Sequence, residues 1–136
     1  VPIEIATELT DDIIAIFATA SRSAATHRGG VHMMATILGE RSSDELLTNA
    51  ISLGGLFIAR DHDGLVGFAL CRYGVLEAVY VRKHSRRHGT ARRLVNAAVD
   101  AASEPLDAYA LPGDRATKSL YESFGWKARL LTMRGE

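Results

Sequence analysis

The chain has 136 residues, 47% hydrophobic and 24% charged, with sixteen Lys and Arg balanced by sixteen Asp and Glu. That size suits one domain, residues 1–136, with a core that needs neither disulfides nor structural metal. The single cysteine, Cys71, excludes a disulfide framework and a cysteine-cluster zinc site, and zero formal charge argues against a general nucleic-acid coat. No apolar run approaches the roughly 20 residues of a membrane span, and Glu4 and Glu8 stand where an export signal carries basic residues. A soluble, cytoplasmic protein is expected.

Pro2 to Ala6 alternates weakly and is predicted as a first strand. Thr10, Asp11 and Asp12 then cap a helix through Ile13, Ile14, Ile16 and Phe17. Residues 24–30 break that pattern. A second helix is predicted around Val31 to Leu38, and a third from Ser42-Ser43-Asp44 through Leu46 and Leu47 to Gly54. From Leu56 the period shortens to two: Leu56 to Arg60 and Leu65 to Arg72 make a hairpin with Asp63-Gly64 at its turn. Tyr73-Gly74 permits another reversal, and Leu76 to Val81 completes a three-strand meander.

Further on, Ala91, Leu94, Val95, Ala98 and Ala102 recur at helical spacing from about Gly89 to Ser103, and Pro105 ends that helix. Leu106 to Leu111 is predicted as a strand, Pro112-Gly113-Asp114 as the start of a helix to Phe124, and Trp126 to Met133 as a last strand after Gly125. This order predicts an α+β fold with a mixed sheet, in which strand 76–81, a helix and strand 106–111 form a right-handed parallel crossover.

Charge is unevenly placed along these elements. Residues 1–63 hold nine acids and four bases; residues 64–136 hold seven acids and twelve bases, six of them between Arg82 and Arg93, where no acid occurs. The segment Val79-Tyr80-Val81-Arg82-Lys83-His84-Ser85-Arg86-Arg87-His88-Gly89-Thr90-Ala91-Arg92 runs from a strand through a basic, small-residue loop into a helix. Backbone N–H groups at a helix start lack internal partners and sit at the positive end of the helix dipole, so they bind phosphate. Gly89 and Ala91 let the backbone approach closely, and arginines add charge-assisted hydrogen bonds. Neither a Walker loop nor a Gly-x-Gly-x-x-Gly fingerprint is present. A solvated basic helix start is the plain alternative.

Arg86-Arg87-His88-Gly89-Thr90-Ala91 resembles the Arg/Gln-x-x-Gly-x-Gly/Ala loop of the GNAT superfamily of acyl-CoA-dependent N-acetyltransferases, and Tyr121-Glu122-Ser123-Phe124-Gly125-Trp126 is similar to its Tyr-Glu-x-x-Gly-Phe signature. The two motifs stand in order, about thirty residues apart, and the likeness spans roughly residues 56–132. It implies a GNAT-like α+β fold with a mostly antiparallel central sheet flanked by helices, and a splayed strand pair that admits acetyl-CoA. It also implies transfer of an acetyl group to a primary amine by direct attack in a ternary complex. The backbone at Val79, Tyr80 and Val81 would bind the pantetheine arm, Arg86 to Arg92 the pyrophosphate, and Asp114 and Lys118 would lie near the cofactor. Tyr121 occupies the position of the general acid for the leaving thiolate, and an N–H near Val79 that of the oxyanion donor.

Glu77 is the candidate base. It lies two residues before Val79, which in a regular strand puts both on one face; a carboxylate paired with Arg72 or another arginine is the competing reading. Asp114 stands where the family often has asparagine, and a carboxylate accepts but does not donate. Trp126 replaces the usual phenylalanine. The chain stops short of the family's customary seventh strand, which leaves either a bare edge at strand 126–133 or a partner subunit covering it, as in a homodimer.

Other residues carry weaker signals. His84 and His88 are four apart, but the loop's arginines repel a cation and no metal is expected. His62 reads as a turn residue, Cys71 as core, and His27, His32, Met33 and Met34 as surface, packing or substrate-loop residues. Two rivals remain at this stage: a non-catalytic acyl-CoA-binding or regulatory module of the same fold, and a nucleic-acid-binding domain using Arg82 to Arg93, which lacks interleaved aromatics. The acidic first half hints at a cationic acceptor.

Overall fold

The structure, a computed structural model, describes residues 1–135. Apolar alternation after Leu56 builds its sheet, whose order is β1 (Ile3–Ile5), β2 (Leu56–Asp61), β3 (Gly64–Arg72), β4 (Val75–Val81) and β5 (Asp107–Ala108). Neighbours are antiparallel except β4 and β5, which are parallel. Between β1 and β2 stand α1 (Asp11–Ala25), α2 (Gly30–Leu38) and α3 (Ser43–Ser52); α4 (Thr90–Ala101) joins β4 to β5, and α5 (Arg115–Glu122) follows. This is the α+β mixed sheet that the element order predicts.

Local chemistry explains the boundaries. Ser42 and Glu45 form a reciprocal capping box that starts α3. Tyr73 (φ 51°) and Gly74 (φ 78°) turn β3 into β4 with both residues in the left-handed region, as a tight hairpin requires.

Alternation along the strands sends side chains to two apolar layers. Leu56, Ile58, Phe68 and Leu70 pack with Ile13, Ile16 and Phe17 of α1 and with α3. Phe57, Ala59 and Ala69 pack on the other face with Leu94, Val95 and Ala98 of α4 and with Tyr121. Each fully buried Leu or Val contributes about 1.5–3 kcal/mol. Gly67 permits the close approach of α4, since a Cβ there would lie 2.8 Å from the Tyr80 carbonyl and 3.2 Å from Leu94.

Two expectations fail here. Trp126 to Met133 is not a strand: residues 126–135 have no regular secondary structure. Trp126 instead stacks on Tyr121, and Leu130, Leu131 and Met133 lie exposed. Apolar alternation becomes a strand only where an edge offers a ladder to join, and the outer strand β5 has just two residues. The strand expected over 106–111 shrinks to those two residues because the chain turns away from β4 after a single further bond.

Candidate active site

That parting of strands shapes the site. β4 and β5 pair only at Val75 with Asp107 and Leu76 with Ala108, and the Tyr109 N–H adds one bond to the Leu76 carbonyl at 3.2 Å. From Ala78 to Val81 this edge of β4 has no strand partner among the described residues. A cavity of about 80 Å³ lies beside it, walled by Ala78, Val79 and Tyr80 of β4, Phe17 and Ala24 of α1, Met33 and Met34 of α2, and Tyr109, Leu111 and Asp114. A wider, open depression near Gly39, Arg41 and Tyr73 lies away from this edge.

The basic loop continues from the far end of β4. A single 3-10 turn, Lys83–Ser85, precedes Arg87 (φ 68°) and Gly89 (φ 76°), whose left-handed conformations aim the chain into α4. Gly89 caps α4 without any side-chain bond. The N–H groups of Arg87, His88, Gly89, Thr90, Ala91 and Arg92 therefore have no hydrogen-bond acceptor among the described residues. They are the orphan donors of a helix start, extended backward into its loop.

Side chains brace this loop. The Arg86 Nε donates to the Val81 carbonyl at 2.8 Å and its guanidinium lies over the Tyr80 ring. The Arg92 Nη1 donates to Ser123 Oγ at 2.6 Å, which ties α4 to the end of α5. No carboxylate among the described residues pairs with any base from Arg82 to Arg93, and Arg86, Arg87, Arg92 and Arg93 are exposed.

Tyr121, on α5, is 6% exposed and stacked on Trp126 with ring centroids 5.3 Å apart. Its buried hydroxyl has no hydrogen-bond partner. Burial, and secondarily the Asp114 carboxylate, push its pKa well above the ordinary phenol value, so it holds its proton. Tyr121 packs in the same apolar layer as Val79 and Val81, on the α4 side of the sheet; it does not line the cavity on the α1 and α2 side.

Glu77 departs from the expected facing and takes up the alternative, a pair with an arginine. The register advances from Leu70 opposite Ala78 to Cys71 opposite Leu76, so Glu77 is the extra residue of a β-bulge. The bulge reverses the alternation: Leu76 and Val79 face α4 while Ala78 and Tyr80 face α1. Glu77 therefore does not share the face of Val79. Its carboxylate is clasped by Arg72, with Nε to Oε1 at 2.6 Å and Nη2 to Oε2 at 3.1 Å. Arg72 also donates to Asn49 Oδ1 and to the Ile37 carbonyl, both at 2.9 Å. Hydrogen bonding to Glu77 raises the pKa of Arg72, against the opposing effect of burial.

Residues 52–128, more than half of the chain, match the family described as the acetyltransferase (GNAT) domain. The chain belongs to the GNAT acetyltransferase family. Several solved structures share its fold. PH1933 from Pyrococcus horikoshii OT3 is 19% identical with a TM-score of 0.61, covering 97% of this chain and 92% of that one. An aminoglycoside acetyltransferase, HMB0005, from an uncultured soil metagenomic sample is 17% identical with a TM-score of 0.57, covering 100% and 99%. AAC(6')-Iy, solved with a CoA-S-monomethyl-acetylneamine bisubstrate analog, is 17% identical with a TM-score of 0.53, covering 76% and 86%. No curated protein matches the sequence.

Val79 and Tyr80 line the cavity, and Arg86 to Arg92 form the loop beyond it. Asp114 also reaches the cavity, but both its oxygens accept from Thr117, Oδ1 from the N–H at 3.1 Å and Oδ2 from the hydroxyl at 2.7 Å, so it serves as the cap of α5. His84, His88 and Lys118 are exposed. Cys71 is half-buried in β3, where burial first and Glu77 second push its thiol pKa upward, away from nucleophilic use. At the β2–β3 turn, exposed His62 stands within 4.8 Å of the Asp61 and Asp63 carboxylates. The pair of Glu77 with Arg72 is the alternative the sequence offered; the bulge, and the bonds of Arg72 to Asn49 and Ile37, left no signal in it.

Proposed function

We propose that the protein is an acetyl-CoA-dependent N-acetyltransferase that acts on a primary amine in a ternary complex. The observation that carries this reading is the run of unpartnered N–H groups from Arg87 to Arg92, joined to the unpaired edge of β4. A pyrophosphate fits the first and an extended pantetheine arm fits the second, because each supplies the acceptors or ladder partners those backbone groups lack. The outward charge of Arg87 and its neighbours favours the same ligand. The acetyl thioester, when bound, supplies the electrophilic carbonyl.

The chain's own groups then divide the work. The loop from Arg87 to Arg92 anchors the ligand by its main chain. The β4 edge at Val79 and Tyr80 orients the reacting end, and N–H groups near Val79 donate to the carbonyl oxygen as charge gathers there. Tyr121, held protonated by its burial, donates to the departing sulfur. Glu77 fixes the bulge through Arg72, each of its carboxylate oxygens accepting one guanidinium hydrogen bond.

Calorimetry with acetyl-CoA, followed by thiol release against a panel of amines, tests the proposal. Binding in the micromolar range, about −8 kcal/mol, with thiol release is expected; absence of binding at millimolar acetyl-CoA contradicts it. The commitment of Glu77 to Arg72 favours a second reading, a non-catalytic acyl-CoA-binding module, which predicts binding without thiol release. Among the described residues no helix is long and apolar enough to cross a membrane.

A further inference from the structure

An alkylamine is protonated near neutral pH, so its attack on a carbonyl held at the β4 edge needs a proton acceptor, and the cavity beside that edge is the place to look for one. Five titratable side chains line that cavity: His27, Glu77, Tyr80, Tyr109 and Asp114. Glu77 is clasped by Arg72 and Asp114 caps α5 with both oxygens. Phenols are protonated near neutrality and serve as donors. His27 differs from all four: it is half-buried, it lines the cavity, and its ring nitrogens make no hydrogen bond among the described residues. We propose that His27 is the general base for the acceptor amine, an inference that rests on the acetyltransferase reading.

The backbone holds His27 in place from both sides. Its N–H bonds to the Ala24 carbonyl at 3.0 Å, and its own carbonyl accepts from the Gly30 N–H at 3.0 Å. Gly30 is required there, because a Cβ would lie 1.8 Å from the Ala24 carbonyl oxygen. The ring crosses from the α1–α2 turn to the segment before α5, where a Cβ on Gly113 would lie 3.7 Å from His27 Nδ1. His27 thus bridges the two lips of the cavity.

The charged groups around it are Asp114 from the start of α5 and the Arg72–Glu77 pair from β3 and β4. Arg28, next in the chain, is exposed and does not line the cavity, and α1 and α2 contribute only uncharged linings such as Ser21, Ser23, Met33 and Met34.

The step balances. The ammonium gives one proton to a free nitrogen of His27, and the released lone pair forms the new C–N bond as the C–S bond breaks. The proton that the nitrogen then sheds replaces the one Tyr121 delivers to sulfur, and His27 returns its proton to solvent.

The test compares the full chain with His27→Gln and His27→Ala. Thiol release is followed with the most reactive of phenethylamine, spermidine and a peptide with a free amino terminus. Acetyl-CoA binding by calorimetry separates the two readings: failure of the unsubstituted protein to bind overturns the acetyltransferase reading and this inference with it. With binding intact in all three proteins, His27→Gln is expected to lower kcat/KM on the order of 100-fold and to carry the acidic limb of its pH profile upward toward the pKa of the amine itself. Added imidazoles should restore His27→Ala turnover, more strongly as their basicity rises. A kcat/KM within about threefold of the unsubstituted protein, or a loss that no imidazole restores and that leaves the acidic limb in place, overturns the assignment.

Discussion

Arg72 and Glu77 face each other across the β3–β4 turn as a two-point ion pair, at 2.6 and 3.1 Å, with side chains only 8% and 10% exposed. Glu77 is the bulge residue of β4, so this pair fixes the kink beyond which β4 and β5 part. Arg72→Met leaves a buried carboxylate without its partner and is expected to cost about 3–5 kcal/mol in urea unfolding. Arg72→Met combined with Glu77→Leu should recover most of that loss, since a matched apolar pair strands no charge. Equal losses in the single and double variants would show that the pair does not hold the bulge.

Tyr121→Phe separates acid chemistry from packing. Phenylalanine keeps the stack on Trp126 and removes a buried hydroxyl that has no partner, so the thermal midpoint should hold or rise. Acetyl-CoA binding should persist while kcat falls by a factor on the order of 10² to 10⁴. The alkaline limb gives a second readout. Burial raises the folded-state pKa of Tyr121 above the ordinary 10.0, so its contribution to stability is fully present below about pH 10. It is lost at higher pH, as the unfolded chain releases a proton that the folded one retains. Stability of Tyr121→Phe should therefore decline less steeply than that of the unsubstituted protein above about pH 10.

Ala91→Glu places a carboxylate in the first turn of α4, beside the orphan N–H groups. Negative charge at that end favours the helix by about 0.3–1 kcal/mol, so melting should stay level or rise. Coenzyme A affinity should nevertheless fall by tenfold or more, on the order of 1.4 kcal/mol or above, because the new carboxylate competes for the diphosphate's place. A variant that melts higher and binds equally well would remove the diphosphate from this helix start.

Much of the site was legible in the sequence for a physical reason. Four bases without an acid, then Gly89 and an amphipathic helix that opens with two more, describe a helix start that attracts anions, and the structure places Gly89 as the cap of α4. Glu77 was misplaced because period-two reasoning assumes an unbroken ladder; one extra residue sends every later side chain to the opposite face from the one counted. Trp126 to Met133 was misread because alternation records a capacity to pair, while pairing depends on an edge elsewhere in the chain. His27 stood in the sequence only as a surface or substrate-loop residue beside Gly29-Gly30. Its setting exists only once the α1–α2 turn meets Gly113 in space.

Titration of isotopically labelled protein with coenzyme A, followed through backbone amide resonances, tests the central claim most directly. The account predicts saturable shifts concentrated at Arg87 to Arg92, with a second group at Val79 to Val81. Shifts confined to other regions, or none at millimolar coenzyme A, would contradict it.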